Sequence, residues 1–169
     1  MLRPPDYMKI WLSREVAASI MKQGQDFSPL ETGGLLLGWS DDGNRVVAGL
    51  IGPGPNARHH AHKFIPDHPW QMRELEKAFA SSGGDLTYLG DWHTHPMGPA
   101  QMSRLDKRTL SRIARKVDQP VMLIGDPTSG EAPFGAWAAQ SLGWRRTEFT
   151  NVPIKLFEHP SGWPSILAS

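Results

Sequence analysis

The chain has no cysteine. Disulfides are excluded, which removes any oxidising signature and points to a cytoplasmic setting. A thiol nucleophile is excluded as well. So is every zinc site built on Cys ligands, including that of the nucleobase deaminases. Charge of one sign is also missing: 18 Lys and Arg stand against 17 Asp and Glu, a formal net charge of +1. That balance gives no footing for nucleic acid or another polyanion as a partner. The one concentration of basic residues, Lys107-Arg108 through Arg112, Arg115 and Lys116, reads as the solvated face of a helix. No apolar run approaches the length that spans a bilayer, so no membrane partner is expected. Met1-Leu2-Arg3-Pro4-Pro5-Asp6 lacks the apolar centre of a secretion signal. Internal repeats and low-complexity segments are absent.

What is present is enough for one domain. A chain of 169 residues buries a sizeable core without covalent staples. Ser13 reads as an N-cap, with a short helix over Arg14 to Lys22 that Gly24 ends. Gly34 to Trp39 reads as a buried strand. Asp41-Asp42-Gly43-Asn44 turns the chain into a second strand, Arg45 to Ile51. Gly52 to Asn56 is a loop, and a third strand covers Arg58 to Ile65. Met72, Leu75 and Phe79 recur at helical spacing, so Asp67 to Ala80 is expected to be a helix burying that stripe. Leu86 to Trp92 is a strand. Ser103 caps a helix whose apolar stripe is Leu110, Ile113, Ala114 and Val117. Pro120 to Gly125 is a strand, Asp126 to Gly130 a turn, and Ala132 to Gln140 and Trp144 to Val152 two antiparallel strands. The expected fold is α+β, an α/β/α sandwich with a mixed sheet flanked by helices. It occupies residues 1–152, and 153–169 form a loosely held tail rich in Pro, Gly and Ser.

Chemistry concentrates in Gly90-Asp91-Trp92-His93-Thr94-His95-Pro96 and in Ser103-Arg104-Leu105-Asp106. Strand side chains alternate, so His93 and His95 share one face, with Cα atoms roughly 6.5 Å apart. Two imidazole nitrogens on one tetrahedral zinc lie roughly 3.3 Å apart, a gap that modest convergence closes. Asp106 is then the third protein ligand and a water the fourth. Three protein ligands plus water is the pattern of a catalytic zinc, not a structural one. Each piece alone has a plainer meaning. His-x-His is also how outward polar residues look on a strand, Ser-x-x-Asp is also an ordinary capping box, and a Glu before a turn is usually solvated.

The combination is more specific. Glu31-Thr32-Gly33-Gly34-Leu35-Leu36-Leu37-Gly38 comes first, then His93-Thr94-His95-Pro96, six residues, and Ser103-x-x-Asp106. This resembles the JAMM (MPN-plus, JAB domain) metallopeptidases: an upstream Glu, His-(Ser/Thr)-His-Pro, six residues, Ser-x-x-Asp. Gly52-Pro53-Gly54-Pro55-Asn56-Ala57 and Phe64-Ile65-Pro66-Asp67 add a likeness to the short bacterial branch found in mobile elements and anti-phage operons. The resemblance covers most of residues 10 to 140. It implies the JAB/MPN fold, similar to the cytidine-deaminase-like architecture. It also implies one Zn²⁺ per chain on His93, His95 and Asp106, Glu31 as general base, and Ser103 as donor to the developing oxyanion.

The resemblance further implies hydrolysis after the C-terminal Gly-Gly of a ubiquitin-like protein or its conjugate, with E1/E2-like operon partners. An extended Gly-Gly tail suits such a site, pairing through its backbone beside an exposed strand. Two other readings stay open: a processing peptidase for a sulfur-carrier protein, which shares the site, and a non-catalytic MPN scaffold. Around the centre, Asp91 shares the face of the two His and is either a partner that fixes an imidazole tautomer or a structural carboxylate. Trp92 faces the core. Met97 to Met102 rims the cleft, where the two Met either touch substrate or fill gaps. His59, His60 and His62 are spaced too loosely for a second metal cluster and read as an exposed or substrate-facing strand. His159 lies in the tail, with no role expected.

Overall fold

The computed structural model describes residues 8–130 and 133–169. The N-terminal segment read for a secretion signal, and the expected strand start at Ala132, lie outside them. The elements run β1 (Ile10–Ser13), α1 (Arg14–Phe27), β2 (Gly33–Asp41), β3 (Asn44–Ile51), β4 (Arg58–His59), β5 (Phe64–Ile65), α2 (His68–Ser81), β6 (Thr87–Thr94), α3 (Arg104–Ala114), β7 (Val121–Gly125), β8 (Phe134–Ser141), β9 (Thr147–Asn151), β10 (Ile154–Phe157) and β11 (Leu167–Ala168). One mixed sheet carries the order β10-β1-β3-β2-β6-β7-β8-β9, with β11 also on β3. The expected α+β sandwich is the fold observed. Among the described residues no helix is long and apolar enough to cross a membrane.

Both faces of the sheet are covered, so the central strands read as continuous apolar runs instead of alternating ones. In β2, Leu36 joins Val16 and Ile20 of α1 on one face, while Leu35 and Leu37 join Ala78 of α2 on the other. In β7, Val121 and Leu123 face α1, and Met122 and Ile124 pack on Leu110 and Ala114 of α3. Burying a side chain of this size stabilises by about 1.5–3 kcal/mol relative to exposure.

Several expectations need correction. Gly24 does not end α1; it is buried inside it, and a Cβ there would lie 3.0 Å from the Thr94 methyl. Glycine is kept for close packing, and the helix runs on to Phe27, just before Ser28 and Pro29. A strand at Ile10–Ser13, not anticipated, precedes it. The single strand expected over Arg58 to Ile65 is a small hairpin of β4 and β5, turned over His60 to Lys63. On α2, Met72 and Leu75 pack inward, but Phe79 is 52% exposed; Gln71 and Ala78 take the buried face. Trp144 does not enter a strand but sits 87% exposed before β9.

The tail is not loose. Ile154 to Phe157 pair in parallel with Ile10 to Ser13, and Leu167 and Ala168 pair with Leu50 and Ile51. Its Pro and Gly content predicted mobility, but its short apolar runs supply edge strands that cover β1 and β3.

A β-bulge interrupts β6 ahead of the two His. Leu36 pairs with Gly90 and Leu37 with Tyr88, which leaves Leu89 as the extra residue. Gly90 takes φ +149°, and a Cβ there would sit 1.8 Å from the Val121 carbonyl oxygen. The extra residue shifts the alternation, so Tyr88 and Asp91 meet although they are an odd number of positions apart. The Tyr88 hydroxyl donates to Asp91 Oδ1 at 2.6 Å.

Candidate metal centre

His93 is the penultimate residue of β6, and His95 follows just past its end. The strand direction persists there because the His95 amide donates to the Gly125 carbonyl of the parallel neighbour β7 at 2.8 Å. Ser103 caps α3 through a reciprocal box. The Asp106 amide donates to Ser103 Oγ at 3.1 Å, and the Ser103 amide donates to Asp106 Oδ2 at 2.7 Å. The plain reading of Ser-x-x-Asp as a capping box is therefore correct. It does not compete with a metal role, because the box fixes the direction of the Asp106 carboxylate.

Three donor atoms converge. His93 Nε2 lies 3.0 Å from His95 Nε2 and 3.1 Å from Asp106 Oδ1. His95 Nε2 lies 3.3 Å from Asp106 Oδ2. Among the described residues this is the one group of His, Asp and Glu side chains arranged so that a metal ion fits between them. Tautomers support the fit. The Pro99 carbonyl lies 3.0 Å from His95 Nδ1 and can only accept, so Nδ1 carries the proton and Nε2 offers its lone pair. Two imidazoles and a carboxylate, all largely buried, make a donor set suited to a divalent ion such as zinc.

Glu31 comes from the loop before β2 and brings Oε1 to 4.0 Å from His95 Nε2. Thr94, between the two His, secures that loop: its amide donates to the Thr32 carbonyl at 2.9 Å, and its Oγ1 accepts from the Thr32 amide at 3.2 Å. Burial pushes the Glu31 carboxyl above its ordinary value, against the pull of His93 and His95. Burial also acts to raise Asp106, but the adjoining His93 and His95 prevail and hold it far below the usual carboxylate range. His95 is displaced upward: burial opposes its charge, and the Asp106 carboxylate beside it outweighs burial.

The cleft has two sides. Ser103, Met97 and His62 line one, with Glu31 and His95; Phe64, Pro66, Leu105 and Arg112 line the other, with Asp91 at its base. Ser103 Oγ accepts from Asp106, so its own hydrogen is left to donate into the cleft. All five residues expected at the site are thus brought together. The neighbours divide. Met97 rims the cleft at 71% exposure, while Met102 packs in the core beside α3. Trp92 is fully buried, its Nε1 donating to the Ile51 carbonyl at 3.1 Å. Asp91 holds no imidazole: its partner is Tyr88, and the carbonyl of Pro99 fixes His95 instead. Burial pushes the Asp91 carboxyl up.

Two supports escaped the sequence reading. Thr32 gave no signal of its own. By sequence His59 belongs to an exposed or substrate-facing strand, yet its Nδ1 lies 2.9 Å from the Glu31 carbonyl; the hairpin that brings it there shows in the sequence only as one strand.

The comparisons with known proteins agree with this geometry. Residues 13–140 match the family described as prokaryotic homologs of the JAB domain. A protein of Sinorhizobium fredii named "Probable metalloprotease y4qB" is 32% identical over 159 residues, covering 88% of this chain and 97% of its own. A "CD-NTase/cGAS isopeptidase" of Enterobacter hormaechei is 33% identical over 104 residues, 57% of each chain, so this chain matches little more than half of that relative. A solution structure of a Desulfitobacterium hafniense protein shares the fold, with a TM-score of 0.62 at 21% identity over 90% of this chain and 95% of that one. The chain belongs to the prokaryotic JAB-domain family and is a metal-dependent hydrolase of its peptidase type.

Proposed function

We propose that this chain is a zinc-dependent peptidase that hydrolyses the peptide or isopeptide bond after the Gly-Gly end of a ubiquitin-like protein. The observation that carries this is the convergence of His93, His95 and Asp106, with Glu31 Oε1 4.0 Å from His95 Nε2. The isopeptidase name of one relative supports the bond type.

His93, His95 and Asp106 would hold the ion. When bound, it supplies a Lewis acid that polarises a carbonyl and lowers the pKa of water from about 16 to about 7. Glu31 takes one proton from the attacking water and delivers it to the leaving amine as the C–N bond breaks. Ser103 Oγ–H donates to the carbonyl oxygen as negative charge grows there; one such donor is worth roughly 3 kcal/mol. Phe64, Pro66 and Leu105 give one side of the cleft an apolar lining. No side chain forms a covalent bond to substrate.

The test is elemental analysis of the purified protein beside cleavage of Gly-Gly-tailed ubiquitin-like fusions, with and without a strong chelator. The expected result is one zinc per chain and chelator-sensitive cleavage. Cleavage that survives the chelator overturns the metal role. A protein that holds no metal and cuts no fusion is a scaffold, and one that cuts only sulfur-carrier fusions is a processing enzyme.

A further inference from the structure

Glu31 sits on irregular chain between α1 and β2, outside both sheets. Its backbone polar groups nevertheless have partners, and both lie on the β4–β5 hairpin. The Glu31 amide donates to the His60 carbonyl at 2.8 Å. The Glu31 carbonyl lies 2.9 Å from His59 Nδ1. Two adjacent hairpin residues thus grip the same residue from both sides.

The His59 ring is held in turn. It stacks on Phe27, the last residue of α1, with centroids 3.8 Å apart and planes 20° from parallel. Phe64, its strand partner, lies near-parallel at 6.5 Å. Phe64 also closes on the chain just after Glu31: a Cβ at Gly33 would fall 2.5 Å from the Phe64 ring. The hairpin has only two residue pairs, too few to stand alone. These contacts place it, and it places Glu31.

We propose that His59 is a positioning residue that aims the Glu31 carboxylate by donating its Nδ1–H to the Glu31 carbonyl. This rests on the reading of Glu31 as the proton carrier. A carbonyl only accepts, so the neutral ring must be the Nδ1–H tautomer. A misdirected base loses rate steeply, since displacement by about 1 Å costs on the order of a hundredfold.

Two variants separate aim from packing. His59→Phe keeps a flat ring and removes the donor. His59→Asn removes the ring and offers a side-chain N–H near the place of Nδ1. On a cleavable Gly-Gly fusion, His59→Phe is expected to lower kcat by about tenfold to a hundredfold, with KM and metal content unchanged. His59→Asn is expected to recover most of kcat while melting at lower temperature. The order of rates is then the reverse of the order of stabilities, which packing alone does not give. Equal losses in both variants, or wild-type kcat in His59→Phe, overturn the proposal.

A second readout needs no activity. Long-range ¹H–¹⁵N spectra at pH 8 should show His59 Nδ1 protonated and Nε2 bare, and the Glu31 amide should exchange faster in His59→Phe. A bare Nδ1 overturns the proposal even in an active enzyme. A protein that cuts no fusion but shows the protonated Nδ1 sinks the peptidase reading and leaves the grip on Glu31 standing.

Discussion

Thr94 and Thr32 are tied three times in a fully buried contact: the Thr94 amide donates to the Thr32 carbonyl at 2.9 Å, the Thr32 amide to the Thr94 hydroxyl at 3.2 Å, and that hydroxyl to the Thr32 carbonyl at 3.4 Å. The residue between the two imidazoles is thereby fastened to the residue beside Glu31. Thr94→Val keeps the shape and strands the Thr32 amide without a partner. The expected cost is about 1–3 kcal/mol of stability, with turnover reduced and metal retained. Thr94→Ser should stay near wild type. Thermal melting beside metal analysis of both variants checks this.

Glu31→Gln should bind metal as the parent does and lose turnover by at least about a hundredfold, because the amide takes up no proton. Asp106→Asn should lose metal as well as activity. Elemental analysis of the two variants side by side separates the proton carrier from the ligand; a fully active Glu31→Gln removes Glu31 from the mechanism.

Ser103→Ala should keep its metal, since its amide still reaches the Asp106 carboxylate. It loses the hydroxyl donor, worth about a hundredfold in kcat, and the helix cap, worth about 1 kcal/mol. A kcat equal to wild type with a lowered melting point would leave Ser103 a cap and nothing more.

Asp67 supplies the pH prediction. Burial pushes its carboxyl up, but hydrogen bonds from the Trp70 and Asn56 amides and the Asn56 side chain prevail, and its value is lowered. A group depressed on folding contributes stability above its unfolded value, near 4, and that contribution fades as pH falls through the lower folded value. Wild type should therefore lose more stability than Asp67→Asn on acidification below about pH 4. Melting curves of the two proteins that run parallel across that range would refute it.

Truncation after Val152 should destabilise the whole domain, not trim a free end. Ile154 packs on the core, and β10 covers the edge of β1. Circular dichroism of a folded, unchanged truncation would contradict the sheet order.

The site was more legible than the frame around it. His93, His95 and Asp106 are readable because strand alternation and a helix cap are local rules; Glu31, and Ser103 as more than a cap, are legible only through the resemblance of the whole motif to the JAMM peptidases. The helix over Arg14 to Lys22 was cut short because Gly24 looks like a stop signal; only contact with Thr94, far off in sequence, explains a glycine inside a helix. Phe79 had the right period and the wrong side, since Ala78 and Gln71 meet the sheet. The bulge at Leu89 was invisible, as was the Tyr88–Asp91 pair it creates. The tail was misjudged by composition, because pairing with β1 and β3 is a long-range event that Pro and Gly counts do not register.

One oxygen, Asp106 Oδ2, both receives the Ser103 amide and faces His95 Nε2. Fraying of a single helical turn would therefore open the ion's cage while the sheet stays intact. Exchange of the ion with solvent should keep the time of that local opening, faster by orders of magnitude than loss of the global fold.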